Sequence, residues 1–287
     1  MRNYVFSTLP CDGWETEQFI QACRQFGLRG IEWRDRGDQV WSEFSAKQSW
    51  RQMVQLLEEK DIAIVSIGSS ICVKGNDQDR QQLESFRSIA EAAGIAGAKG
   101  VRIFLGNFAA RRDAPRELLD HGAIVRWLQA ACDMAEAEGT SVWIETHNEY
   151  ATGRVLRGLL EEVERPNCEI IYDIIHPLED GESPEETIAL IGDRIAHVHV
   201  KDGVPSPDPI QHAWKYTRLG EGEIPLKQIC SLLDQRGYRG NYSLEWESKW
   251  RSELRGEGMA FEQVLEVYVP YMERIFDSIM HERGRQR

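Results

Sequence analysis

Eight short apolar runs, each followed by a longer stretch with helical periodicity, constrain this chain more than any other feature. They occupy 4–9, 30–33, 63–68, 100–105, 141–146, 169–175, 195–200 and 241–246. Strand-length apolar runs alternating with amphipathic segments specify βα units and a parallel sheet. Eight such units close a barrel, so the expected fold is α/β, a (β/α)8 barrel forming one domain over 1–287.

The segments between the runs agree. Trp50, Met53, Val54 and Leu57 form one apolar stripe within 49–59, and 82–93 and 116–138 repeat the pattern. Ser183-Pro184-Glu185-Glu186 combines a cap hydroxyl, a first-turn proline and a glutamate three past the cap, so a helix starts there and ends near Ile191. The helix over 224–235 should stop at Gly237. A last helix over 259–280 is expected to kink or break at Pro270 and to give way to a frayed polar tail, 281–287. The longest irregular connection, 202–223, follows the seventh run and belongs at the barrel mouth as a wall for a ligand.

A formal charge of −13 sets a repulsive field against nucleic acid and anionic lipid, so neither is an expected partner. No run approaches the roughly 18 apolar residues of a membrane span. Six scattered cysteines without a CxxC pair, and no secretory leader, indicate reduced thiols in a cytoplasmic protein.

Four runs end with polar groups that their apolar interiors do not explain: Glu145 and His147, Asp173 and His176, His197, His199 and Lys201, and Glu245 and Glu247. Carboxylates among β-branched neighbours are costly to bury unless they meet a metal or a partner. Strand parity puts Glu145 with Trp143 and His147, His199 with His197 and Lys201, and Glu245 with Ser243 and Glu247. Glu145, Asp173, His199 and Glu245 would make a hard, mostly oxygen site for Mn²⁺, Mg²⁺ or Co²⁺, and one that Zn²⁺ would also accept. Each has a plainer reading, Asp173 as a loop cap or arginine partner and His197 as a core histidine or a support for the site. His147 and His176 stand where they contact substrate or orient a carboxylate, and Glu247 is a supporting group, a rim ion pair or solvated. Trp14 and Trp33 are packing residues or stack on a small polar ligand. No glycine-rich phosphate cradle is visible, Gly68-Ser69-Ser70 being too weak to count.

At these residues the sequence resembles the sugar phosphate isomerase/epimerase family of the xylose-isomerase-like TIM barrel superfamily. That family also takes in ketose 3-epimerases, hydroxypyruvate isomerase and inosose dehydratase. The likeness runs from Phe6 to Glu247. It is carried by Val142-Trp143-Ile144-Glu145, Tyr172-Asp173-Ile174-Ile175-His176-Pro177, His197-Val198-His199-Val200-Lys201-Asp202, Leu219-Gly220-Glu221-Gly222-Glu223-Ile224-Pro225 and Gly237-Tyr238-Arg239-Gly240 leading into Ser243-Leu244-Glu245-Trp246-Glu247. The resemblance implies that Glu145, Asp173, His199 and Glu245 are metal ligands and that His176 contacts substrate. Arg218 matches an arginine beyond the metal histidine, and Glu32 a residue near the substrate end of strand two. It also implies a possible homodimer. The multi-metal endonuclease branch uses many more strand-end histidines, which counts against DNA repair.

The implied activity is a metal-dependent isomerase or epimerase of carbohydrate metabolism, acting on a small keto-sugar or polyol ketone. A metal on the carbonyl oxygen stabilises an enediolate, and Glu145 and Glu245 are the acid/base pair. His176 and Arg218 would hold substrate oxygens, Lys201 would stabilise an oxyanion or leaving hydroxyl, and Trp14 and Trp33 would close the apolar side. The same enediolate can expel a β-hydroxyl, so an inosose-type dehydratase is the nearest rival, kept open by Lys201 and His147. A non-enzymatic metabolite-binding barrel is the alternative of another class, and a metal-dependent phosphodiesterase or nuclease a remoter one.

Overall fold

The computed structural model describes residues 2–34, 48–109 and 112–286. The apolar runs pair edge to edge in chain order as parallel ladders. These strands are β1 (Asn3–Ser7), β2 (Gly30–Arg34), β3 (Ala63–Val73), β4 (Gly100–Leu105), β5 (Ser141–Glu145), β6 (Cys168–Asp173), β7 (Ile195–Val200) and β10 (Asn241–Leu244), with β1 closing on β10. The result is the closed (β/α)8 barrel expected from the alternation. Register sets Asp173 and Ser243 level with His199, and Glu245 lies two residues past Ser243 on the same face. The acidic strand ends therefore converge at one mouth.

Helices α1 (Thr16–Phe26), α2 (Gln48–Glu58), α3 (Gln78–Ala96), α4 (His121–Ala137), α5 (Gly153–Val163), α6 (Ile175–Glu179), α7 (Pro184–Ile191), α8 (Leu226–Gln235) and α9 (Phe261–Gln286) surround the strands. The core lies between the two layers. Trp50 is fully buried there, and its indole N–H is satisfied by the Ala92 carbonyl at 3.1 Å. The Ser183 capping box forms as its spacing predicts: the Ser183 hydroxyl accepts from the Glu186 N–H and the Glu186 carboxylate from the Ser183 N–H. All six cysteines are free, five of them buried. Among the described residues no helix is long and apolar enough to cross a membrane.

Two elements differ from the sequence expectation. The last helix neither breaks at Pro270 nor frays at His281 but runs to Gln286. Val264, Leu265 and Tyr268 before the proline and Met272, Phe276 and Ile279 after it form one buried stripe, so packing outweighs the missing hydrogen bond. Ion pairs from Glu282 to Lys227 and from Arg283 to Asp234 tie the polar tail to α8. The connection 202–223 is likewise ordered, as an antiparallel ribbon of β8 (Asp202–Pro205) and β9 (Trp214–Thr217). Asp202 holds the base of this ribbon: its buried carboxylate accepts from the backbone N–H groups of Gly203, Gly220, Gly222 and Ile224.

Candidate metal centre

Glu145 ends β5, Asp173 ends β6, His199 lies in β7 and Glu245 follows β10. All four are at most 5% exposed, and one ligand atom from each lies within 4.8 Å of the others. Three buried carboxylates this close repel one another unless cations join them. Part of that need is met by the protein. The Lys201 ammonium lies 2.5 Å from Asp173 Oδ2 and 2.6 Å from Glu245 Oε2 and pairs with Glu247. The Arg102 guanidinium donates to Glu145 Oε2 at 2.8 Å and stands 3.7 Å from Glu245 Oε1.

His199 shows what remains unmet. Its Nε2 is hydrogen-bonded to Glu32 Oε2 at 2.9 Å. Its Nδ1 is buried without a hydrogen-bond partner, 3.4 Å from Glu245 Oε2 and 3.8 Å from both Glu145 Oε1 and Asp173 Oδ2. An imidazole anchored to a carboxylate on one side and aimed at three carboxylates on the other is the carboxylate–histidine–metal arrangement. The donor set, three carboxylates and one imidazole, fits a divalent cation and does not choose among the candidate ions.

From the protein's own charges alone, the two glutamates differ in proton affinity. Burial pushes Glu145 up, Arg102 opposes the rise and Glu245 adds to it, leaving the carboxyl at about 7. Burial also acts upward on Glu245, but the His199 and Lys201 charges outweigh it and hold Glu245 well below the carboxylate range. Burial would lower His199, yet Glu245, Glu32 and Glu145 together lift it well above the usual histidine value.

Above the centre opens a cavity of 640 Å³ whose wall includes Glu145, Glu245, His147, His176 and Arg102. The His147 and His176 rings lie 4.1 Å apart between centroids. His176 Nδ1 is 2.8 Å from Glu179, and its Nε2 lies 3.7 Å from Asp173 Oδ2. Burial would lower its pKa, but Asp173 and Glu179 raise it to about 9, whereas burial and the facing His176 charge depress His147 well below its usual value. Phe104 and Phe108 pack on His147 and give this side an apolar face.

The remaining sequence candidates are set away from this wall. Glu32 is fully buried inside the barrel, where Oε2 accepts from His197, His199 and Ser243, so it supports His199 from behind instead of facing the cavity. Trp14 packs edge-on against Phe6 and beside Phe19 and Phe261, and Trp33 against Phe19 and Trp50. Both are absorbed by an aromatic cluster that the strand-end position alone does not reveal. Arg218 is half-buried beside Gly258 and does not line the cavity, because the ordered ribbon carries the loop elsewhere. Sequence reasoning missed Arg102 and Arg34. Arg102 is a lone charge inside an apolar run and Arg34 a charge at the end of one that also holds Glu32, the same kind of signal that exposed the carboxylates.

A family model described as xylose isomerase-like TIM barrel matches residues 20–265. Among curated proteins the chain is 22% identical over 186 residues to 3-dehydroshikimate dehydratase of Bacillus anthracis, a match spanning 64% of this chain and 65% of that protein. It is 26% identical over 123 residues to L-ribulose 3-epimerase of Methylomonas sp. (strain DH-1), spanning 41% of this chain and 39% of the relative. The matches therefore cover less than two thirds of those relatives' lengths. A solved structure of L-ribulose 3-epimerase superposes with a TM-score of 0.77 at 13% identity, covering 99% of this chain and 97% of that one.

Proposed function

The chain belongs to the xylose isomerase-like TIM barrel family, and from that premise we propose that it is a divalent-metal-dependent isomerase or epimerase. Its substrate is a small keto-sugar or polyol ketone, and its chemistry passes through an enediolate. The observation that carries this reading is the pairing of Glu145 and Glu245. Both belong to the four-residue cluster, both line the cavity, and Arg102 stands between them. A pure binder has no need of two carboxylates at one substrate carbon, whereas enolisation needs one group to take a proton and another to return it. A divalent ion held by Glu145, Asp173, His199 and Glu245 would supply Lewis-acid stabilisation of the negative charge on the carbonyl oxygen. His176 and His147 line the cavity and would hold the substrate's hydroxyl groups, with the Phe104–Phe108 pair giving that side an apolar surface.

A β-elimination is the second reading, and Lys201 favours it. Its ammonium sits against Asp173 and Glu245, at the edge of the centre, where its fixed positive charge would offset the negative charge of a departing hydroxyl. One relative is named a dehydratase and another a 3-epimerase, in keeping with either outcome.

The test is solvent-deuterium exchange. Manganese-loaded protein is incubated in D₂O with a set of ketoses and inososes, and NMR is recorded after the ion is removed. Deuterium should appear beside the carbonyl, and Glu145→Gln and Glu245→Gln should each slow its entry by about 10²- to 10⁴-fold. A product absorbing in the ultraviolet selects elimination over isomerisation. Exchange that survives both substitutions would contradict the assigned pair.

A further inference from the structure

The cavity wall holds a cation that the metal centre does not use. Arg34, the last residue of β2, lines the cavity and is only 6% exposed. Its Nη1 donates to the backbone carbonyls of Gly68 at 3.0 Å and Ser69 at 3.3 Å. Its Nε has no hydrogen-bond partner, and among the described residues no carboxylate pairs with it. The neighbouring Glu32 directs Oε2 to two imidazoles and Ser243. Glu32 Oε1 lies on the same side of Gly68 without bonding to Arg34, so among the described residues this guanidinium, withdrawn from water, is met directly only by carbonyl oxygens. The chain makes room for it: a Cβ at Gly68 would fall 2.6 Å from Arg34 Cδ and 2.9 Å from its Nη1.

A second guanidinium stands on the same carbonyl. Arg102 Nη2 donates to Ser69 O at 2.6 Å, Nη1 is taken by Glu145, and Nε is buried without a partner. The guanidinium lies 4.1 Å from the Phe104 ring centroid, which braces its plane. An Nε–H and a neighbouring Nη–H form the fork that a carboxylate or phosphate takes with two oxygens, and among the described residues neither fork is closed by a carboxylate.

We propose that the substrate of this centre bears an anionic group, a carboxylate or a phosphate, which docks against Arg34 and Arg102 on the β2–β4 side of the mouth. The reacting carbon then lies toward Glu145 and Glu245. This docking rests on the enolising chemistry proposed above and narrows its substrates to acids or phosphate esters. An Arg34 that served only to pin β3 would have its fork closed by the protein and would confer no preference for anions.

Matched pairs test it: D-fructose against D-fructose 6-phosphate and myo-inositol against quinate, titrated calorimetrically into manganese-loaded protein. At least one anionic member should bind about tenfold or more tightly than its neutral partner, and the pair that responds separates phosphate from carboxylate. Arg34→Gln should abolish the advantage and Arg34→Lys should restore part of it, with thermal unfolding confirming that both variants fold. Equal or undetectable binding within both pairs, or an advantage undiminished in Arg34→Gln, overturns the docking site. Exchange into a neutral ketone without any anionic advantage overturns the docking and leaves enolisation standing. An Arg34-dependent advantage without any exchange supports the docking and counts against enolisation.

Discussion

Replacing Glu32 by glutamine should weaken the metal centre without touching a ligand. Glu32 Oε2 accepts from His197 Nε2 at 3.0 Å, His199 Nε2 at 2.9 Å and the Ser243 hydroxyl at 3.1 Å, all fully buried. Glutamine keeps one carbonyl oxygen for these donors but removes the charge. A hydrogen bond to a charged group contributes about 1.5–3 kcal/mol and a neutral one about 0.5–1.5. Losing the charge-assisted part at two imidazoles therefore costs about 2–3 kcal/mol of stability. His199 also becomes a poorer ligand once its anchoring carboxylate is neutral, which should lower Mn²⁺ affinity by about 10- to 100-fold. Calorimetric titration of metal-free Glu32→Gln, alongside urea unfolding of the same protein, reads both quantities. A folded variant whose Mn²⁺ affinity stays within about twofold of the parent would refute the assigned role.

Two further perturbations address the charges around the ion. Lys201→Met strips the buried counter-charge from Asp173, Glu245 and Glu247, so the metal-free variant should lose about 3–5 kcal/mol, with Mn²⁺ raising its Tm more than the parent's. An unchanged metal-free Tm would contradict this. Glu145, held at about 7, carries a proton below that pH and must release it to ligate, so Mn²⁺ affinity should fall as pH drops through about 7. Because its folded pKa is raised, the stability it gives the metal-free protein is present below the ordinary glutamate range and lost as pH rises through about 7. An affinity flat between about pH 5.5 and 8 would show that Glu145 does not compete with protons for the ion.

The barrel and its ligand cluster could be read from the chain because both are periodic. Strand-length apolar runs specify the sheet, and polar groups at strand ends stand out against them, so Glu145, Asp173, His199 and Glu245 were accessible from position alone. What position does not encode is which neighbour consumes a side chain. Position leaves Trp14 and Trp33 open to packing or to stacking on a ligand, and Phe6, Phe19, Phe261 and Trp50 surround them from distant segments. Glu32 was placed near the substrate, yet two histidines 165 and 167 residues away take its oxygen inside the barrel. Asp202 reads as the end of a strand and becomes the organiser of a ribbon through four backbone donors, a long-range closure invisible to local pattern. Arg34 and Arg102 differ from the carboxylates only in sign, and an arginine beside an apolar run does not by itself show whether it closes an ion pair or faces a cavity.

The most direct measurement is anomalous diffraction from a crystal of this protein soaked in Mn²⁺. A single strong peak should lie about 2.0–2.2 Å from a carboxylate oxygen of Glu145, Asp173 and Glu245 and from His199 Nδ1. A peak bound elsewhere, or none at this cluster despite saturating Mn²⁺, would contradict the metal centre on which the proposed chemistry depends.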